Sequence, residues 1–249
     1  LPDRDALETW DTNAVDAWQS AYRARLSIMN CVPQARIQDE LSDFGGGIIM
    51  SATLDPMTVF RDVTGLDDLA DDRPVIEARY NDPGYPEENR ATFLVDADWF
   101  TSDNRGDPTH DDATITDTRQ QYATIIEAVA RTHGNILLVM PSYDEAAWAT
   151  THLKHSSLVD KDILLDQSST NKRTEELKQS FFTGPHKILV TSSHGTLIEG
   201  VDYDGDKLHT VLVCGLPIRG GLRAQAVKHA YNHTFDGNGF EYAMLVPAV

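Results

Sequence analysis

Basic residues are scarce in this chain, with 21 Lys and Arg against 39 Asp and Glu in 249 residues, a formal charge of -18. A partner held by phosphate neutralisation needs the opposite balance, so charge alone speaks against nucleic acid. That exclusion depends on salt. The acids come as scattered pairs (Asp67 and Asp68, Asp71 and Asp72, Glu87 and Glu88, Asp111 and Asp112, Glu175 and Glu176), with Lys scarcer than Arg. Such a surface suits very high ionic strength, where the screening length is about 3 Å. The charge therefore reads as a habitat marker, with outright repulsion of nucleic acid as the competing reading.

Cysteine is also nearly absent. Cys31 and Cys214 lie far apart in apolar surroundings, which fits reduced core thiols and excludes a zinc ribbon or an iron–sulfur cluster built from this chain's own cysteines. No run approaches the roughly 20 apolar residues of a membrane span, and the opening LPDRDALETW lacks the pattern of a signal peptide. The expectation is a cytoplasmic protein with no membrane partner. Neither G-x-x-x-x-G-K-[ST] nor a G-x-G-x-x-G after a strand occurs, so the chain has no phosphate cradle of its own.

What is present is an alternation of apolar runs and helical patterns. Spacing predicts a helix from Asp11 to about Arg25, a strand in LSIMNCVP, and a short strand in IIMSATL after the triplet Gly45 to Gly47. A helix from Asp55-Pro56 to Gly65 follows, then an acidic loop over 67–90, a strand in ATFLVDA, and an exposed polar insertion, TSDNRGDPTHDDAT. From Asp117 the order is regular: a helix with Tyr122, Ile125, Ile126 and Val129 on one face, strand NILLVMP, helix 144–155, strand DILLD, helix Asn171 to Phe182, strand KILVTSS, strand TVLVCGLP, a helix from Leu222, and strand YAMLVP. This predicts an α/β fold, a doubly wound parallel sheet with flanking helices, whose ligands sit beyond the carboxyl ends of the strands.

Several constellations invite chemistry. Asp202-x-Asp204-x-Asp206 imitates a calcium loop but has Lys207 where glycine is needed and Val213 where a bidentate Glu belongs. Asp204 and Asp206 read as a solvated turn, whereas Glu199-Gly200-Val201-Asp202 suits carboxylates placed on a ribose hydroxyl or a basic group. His229 and His233 have zinc-helix spacing without the Glu of H-E-x-x-H or an evident third ligand, and read as an exposed helix face. Ser193-His194 lacks the nucleophile-elbow pattern.

Three segments in order resemble one family. GIIMSATLDP (47–56) is similar to helicase motif III, ILLVMPSY (136–143) to motif IV, and KILVTSSHGTLIEGVDYDGDKLHTVLVCGLPI (187–218) to motif V of the XPD/DinG family of superfamily 2 DNA helicases. The resemblance implies a RecA-like (P-loop NTPase-like) fold. Residues 1–54 would be the tail of a preceding helicase domain ending in motif III, and 55–249 a second RecA-like motor domain stopping before motif VI. It implies an ATP-dependent helicase that translocates on single-stranded DNA, in DNA repair or related metabolism, and, with the acidic surface, a halophilic archaeal source. Glu199, Gly200 and Asp202 would face ATP, while Ser51 and Thr53 would couple nucleotide state to DNA grip. Ser142, Tyr143, Thr191, Ser192, Arg219 and Arg223 would contact DNA. The full-length protein would use ATP and Mg2+ together with its first RecA-like domain, and a 4Fe-4S cluster would lie upstream. Lacking a phosphate cradle and an arginine finger, the isolated chain is expected to be inactive. The alternatives are a degenerate RecA-like scaffold without catalysis and a flavodoxin-like small-molecule enzyme, the latter needing a glycine loop that is absent.

Overall fold

A computed structural model describes residues 28–51, 54–69, 74–80, 86–108, 116–167, 171–198, 201–216, 218 and 221–245. At its centre are four short strands: β1 (Ile136–Met140), β2 (Asp162–Leu165), β3 (Lys187–Ser192) and β4 (Thr210–Val213). All pairings are parallel, in the order β2-β3-β1-β4, with Leu138 opposite both Val190 and Leu212. Every residue of β1 is buried, as expected of a strand covered on both faces.

The covering helices are α3 (Asp117–Ala130), α4 (Tyr143–His155) and α5 (Asn171–Phe182). Side chains alternate across a strand, so β1 feeds two cores. Ile136, Leu138 and Met140 pack with Ile126 and Ala130 of α3 and Ala146, Ala149 and Leu153 of α4. Leu137 and Val139 pack instead with Leu189, Leu197 and Phe181 of α5. One buried amide ties the amino ends of the strands together. Asn135 donates from Nδ2 to the carbonyls of Phe181, Gly184 and Lys207 (3.4, 3.2 and 3.1 Å) and accepts from the Lys187 N–H at 2.9 Å. The doubly covered parallel sheet is the α/β, RecA-like arrangement expected.

Outside this sheet the two helices α1 (Gln34–Ser42) and α2 (Met57–Thr64) are joined by Gln34 Nε2 to Asp62 O and Gln38 Nε2 to Asp68 O, both 2.8 Å. The last helix, α6 (Gly221–Thr234), leads to a wide helical turn, Glu241–Leu245. The Tyr242 hydroxyl donates to Asp62 Oδ2 at 2.7 Å, which brings this turn against α2.

Five local expectations are corrected. Residues 28–33, 48–51 and 91–97 are irregular, with Ile48, Phe93 and Leu94 at least 83% exposed, so none of these runs joins the sheet. YAMLVP begins in the turn 241–245. A short apolar run becomes a strand only where a sheet edge completes its backbone hydrogen bonds, which periodicity does not reveal. The polar stretch after Phe100 is more than a loose insertion: it forms a helical turn, Ser102–Arg105, capped by Thr101 Oγ1 accepting from Asn104 N–H, and Arg105 turns inward. The helix expected over residues 11–25 lies outside the described residues. No helix among the described residues is long and apolar enough to cross a membrane.

Candidate functional site

Because all strands are parallel, their carboxyl ends share one edge. At β1 the chain passes through Pro141 to Ser142, which adopts extended dihedrals (φ -149°, ψ 168°) and accepts the Glu145 N–H on Oγ at 3.3 Å, capping α4. The short polar side chain satisfies a peptide N–H that the first helical turn leaves open. Tyr143 is half-buried beside it. At β3 the ladder runs on: Ser193 N–H donates to Met140 O at 2.7 Å, then His194 N–H to Ser192 Oγ at 3.3 Å and Gly195 N–H to Ser192 O at 2.7 Å. At β2, Asp166 donates its N–H to Val190 O and accepts the Thr191 hydroxyl on Oδ2, each at 2.8 Å.

The β3 turn is compact enough to require glycine. A Cβ on Gly195 would stand 2.2 Å from Thr191 Oγ1 and 2.9 Å from Asp166 Oδ2. Among the described residues, the buried Ser193 hydroxyl has no hydrogen-bond partner. Burial of Tyr203, whose hydroxyl donates to Leu197 O at 2.6 Å, pushes its phenol up to about 12, with the nearby Asp166 charge as a second cause.

Beneath Ser142 lies an ionic cluster that motif reading does not find. Glu145, with 0% side-chain exposure, is paired with Arg119 (Nη1 to Oε2 2.9 Å, Nη2 to Oε1 3.1 Å) and with Arg105 (Nε to Oε1 2.6 Å). Three further guanidinium N–H groups go to backbone carbonyls: Arg119 to Arg105 and Gly106 at 2.9 and 3.0 Å, Arg105 to Phe100 at 2.7 Å. Arg119 also lies 4.5 Å above the Trp148 ring and Arg105 5.2 Å above Phe100. Two cations on one carboxylate survive burial because the carbonyls and ring faces replace lost water. Phe100 in turn packs where Gly215 ends β4; a Cβ on Gly215 would be 3.4 Å from Phe100 Cβ and 3.3 Å from Pro141 Cγ. The segment from Phe100 to Gly106 is thus fastened to the carboxyl edge. The signals were Ser142-x-x-Glu145, a capping-box spacing, and an arginine inside a polar stretch, and both ordinarily indicate surface residues.

The expected site residues separate into groups. Ser142, Tyr143, Thr191 and Ser192 are together at the edge, but Thr191 (0% exposed) and Ser192 (2%) are buried. The expectation that their hydroxyls face a ligand is corrected, since β3 is covered on both faces and Thr191 is committed to Asp166. Asp202 is exposed in an irregular stretch, and Ser51 is exposed after the glycine triplet. Arg223, exposed on α6, has Nε 3.1 Å from Met29 Sδ. Thr53, Glu199, Gly200 and Arg219 lie outside the described residues. Asp204 pairs with Lys207, which holds its carboxyl below the usual range, and Asp206 is exposed, as a solvated turn requires. Among the described residues no group of three or more His, Cys, Asp or Glu is placed to hold a metal ion.

Comparison with known sequences found a family and a relative. The model of the helicase C-terminal domain family matches residues 125–249. A relative, the protein named 3'-5' exonuclease DinG of Bacillus subtilis (strain 168), is 34% identical over 101 residues. That match covers 40% of this chain and 11% of the relative's length.

Proposed function

The chain belongs to the helicase C-terminal domain family, and on that premise we propose that it is the second RecA-like motor domain of an ATP-driven helicase that tracks along single-stranded DNA in repair or related DNA metabolism. The observation that carries the reading is the start of α4 at the shared carboxyl edge of the parallel sheet, where Ser142 caps the helix with Tyr143 beside it. Hydroxyls and peptide N–H groups at helix starts and strand ends are the groups that position a nucleic-acid backbone.

In this reading Ser142 and Tyr143 grip the strand, and Arg219 and Arg223 contact phosphates from the neighbouring segment. Thr191 acts indirectly by holding Asp166 and the turn, with Ser192 beside it. Glu199, Gly200 and Asp202 face ATP and Mg2+ bound between this domain and the first RecA-like domain, and Ser51 and Thr53 transmit nucleotide state. The acid-rich surface suits work in concentrated salt. The exonuclease activity in the relative's name is not carried over, because the match spans so little of that protein.

The test is an ATPase assay of the isolated chain beside the full-length protein. The expected result is DNA-stimulated turnover by the full-length protein and none by the isolated chain, which has no G-x-x-x-x-G-K-[ST] cradle. Appreciable turnover by the isolated chain would refute it.

A further inference from the structure

Trp99 immediately precedes the buried Phe100, yet it is 73% exposed. Its backbone has little freedom. Asp98 is bonded to Gln121 of α3 in both directions, its N–H donating to Oε1 at 3.1 Å and its Oδ2 accepting from Nε2 at 3.3 Å. The Trp99 carbonyl accepts the Thr101 N–H at 2.8 Å and Asn104 Nδ2 at 2.9 Å, and the Phe100 ring is stacked on Tyr122 with centroids 4.1 Å apart. A single exposed apolar side chain is ordinary on a protein surface. This one is a large aromatic presented to water on a fixed backbone, where contact with a flat partner costs little ordering.

Two observations select the partner. Phe100 and Pro141 both close on Gly215 at the carboxyl edge of the sheet. Trp99 is the residue before Phe100 and Ser142 the residue after Pro141, with successive Cα atoms about 3.8 Å apart, so a short stretch of single strand gripped at Ser142 reaches the indole. The surplus of 39 acidic over 21 basic residues makes phosphate neutralisation a weak hold, and the exposed Asp96 and Asp98 beside Trp99 repel phosphates. The face of a base carries no net charge, and every base has one to stack on an aromatic ring.

We propose that Trp99 is a stacking platform for a base of bound single-stranded DNA, next to the Ser142 grip. Stacking supplies affinity that salt does not screen, in contrast to phosphate contacts. The proposal rests on the motor-domain reading and adds a base contact to it.

The test is fluorescence anisotropy of a labelled homothymidine oligonucleotide with the full-length protein in molar salt. Trp99→Leu, which keeps an apolar side chain but no ring, should weaken binding roughly tenfold, and Trp99→Phe should restore most of the loss. On an oligonucleotide of abasic residues, the unaltered protein and Trp99→Leu should bind alike. Equal affinity of all three proteins for the homothymidine strand overturns the platform, leaves the motor reading standing and assigns the indole to a contact with protein. A loss that persists undiminished on the abasic strand also overturns it, since the ring would then act on the backbone or on the fold. Absence of binding of the homothymidine strand by the unaltered protein overturns both.

Discussion

At Glu145, a carboxylate without solvent exposure is shared by Arg119 and Arg105, and each arginine also holds backbone carbonyls of the segment 100–106. Removing the anion strands two partly buried cations. Glu145→Ala is therefore expected to lower unfolding free energy by about 3–5 kcal/mol in a denaturant titration, whereas deleting an exposed pair such as Arg36 with Glu40 should cost at most about 1 kcal/mol. Nothing in the residue order exposed this cluster, because a charge is legible as buried only once its partners, here 26 and 40 positions away, are known.

Cys214 is the second residue whose setting fixes a measurable property. Burial, reinforced by the charge of Glu145, pushes its thiol up from the ordinary 9.0 to about 12. The folded chain keeps a proton that the unfolded chain releases first. The stabilisation is therefore complete below pH 9.0 and is lost as pH rises through about 12. The urea midpoint should fall across that window, less steeply in Cys214→Ala. Near neutral pH a thiol reagent should modify half-buried Cys31 and reach Cys214 only in denaturant.

Elements from Asp117 to Thr234 were legible because two signals agree there. Continuous apolar runs such as ILLVM alternate with amphipathic helices, and each run found a neighbouring strand. IIMSATL, ATFLVDA and YAMLVP carry similar apolar content, but their described residues lack a paired edge, which no local pattern encodes. Turn geometry is equally decisive where β1 begins. Gly134 has φ +77°, and a Cβ there would lie 2.3 Å from the His209 ring, whose Nδ1 accepts the Asn135 N–H at 3.3 Å. Gly134→Ala must strain the backbone and displace that ring, so it should cost about 2 kcal/mol or more, read as a lowered Tm.

On the scale of the whole molecule, the candidate site was legible as an edge but not as a set of side chains. Strand ends and motif order pointed to Ser142 and the β3 turn. Burial of Thr191 and the placement of Asp166 come from packing that only the assembled sheet defines. The charge of -18 is likewise a property of the whole surface. Self-repulsion should make the fold weaker in dilute buffer than in molar salt, seen as a rise in the circular-dichroism melting temperature with added KCl. Unchanged melting across that range would remove the high-salt argument.

Strand displacement by the full-length protein tests the central claim most directly. The substrate is a duplex with a single-stranded tail, followed by fluorescence in concentrated salt. The account predicts ATP-dependent separation that requires the tail and is weakened by Ser142→Ala. A full-length protein that hydrolyses no ATP in the presence of single-stranded DNA and separates no strands would contradict it.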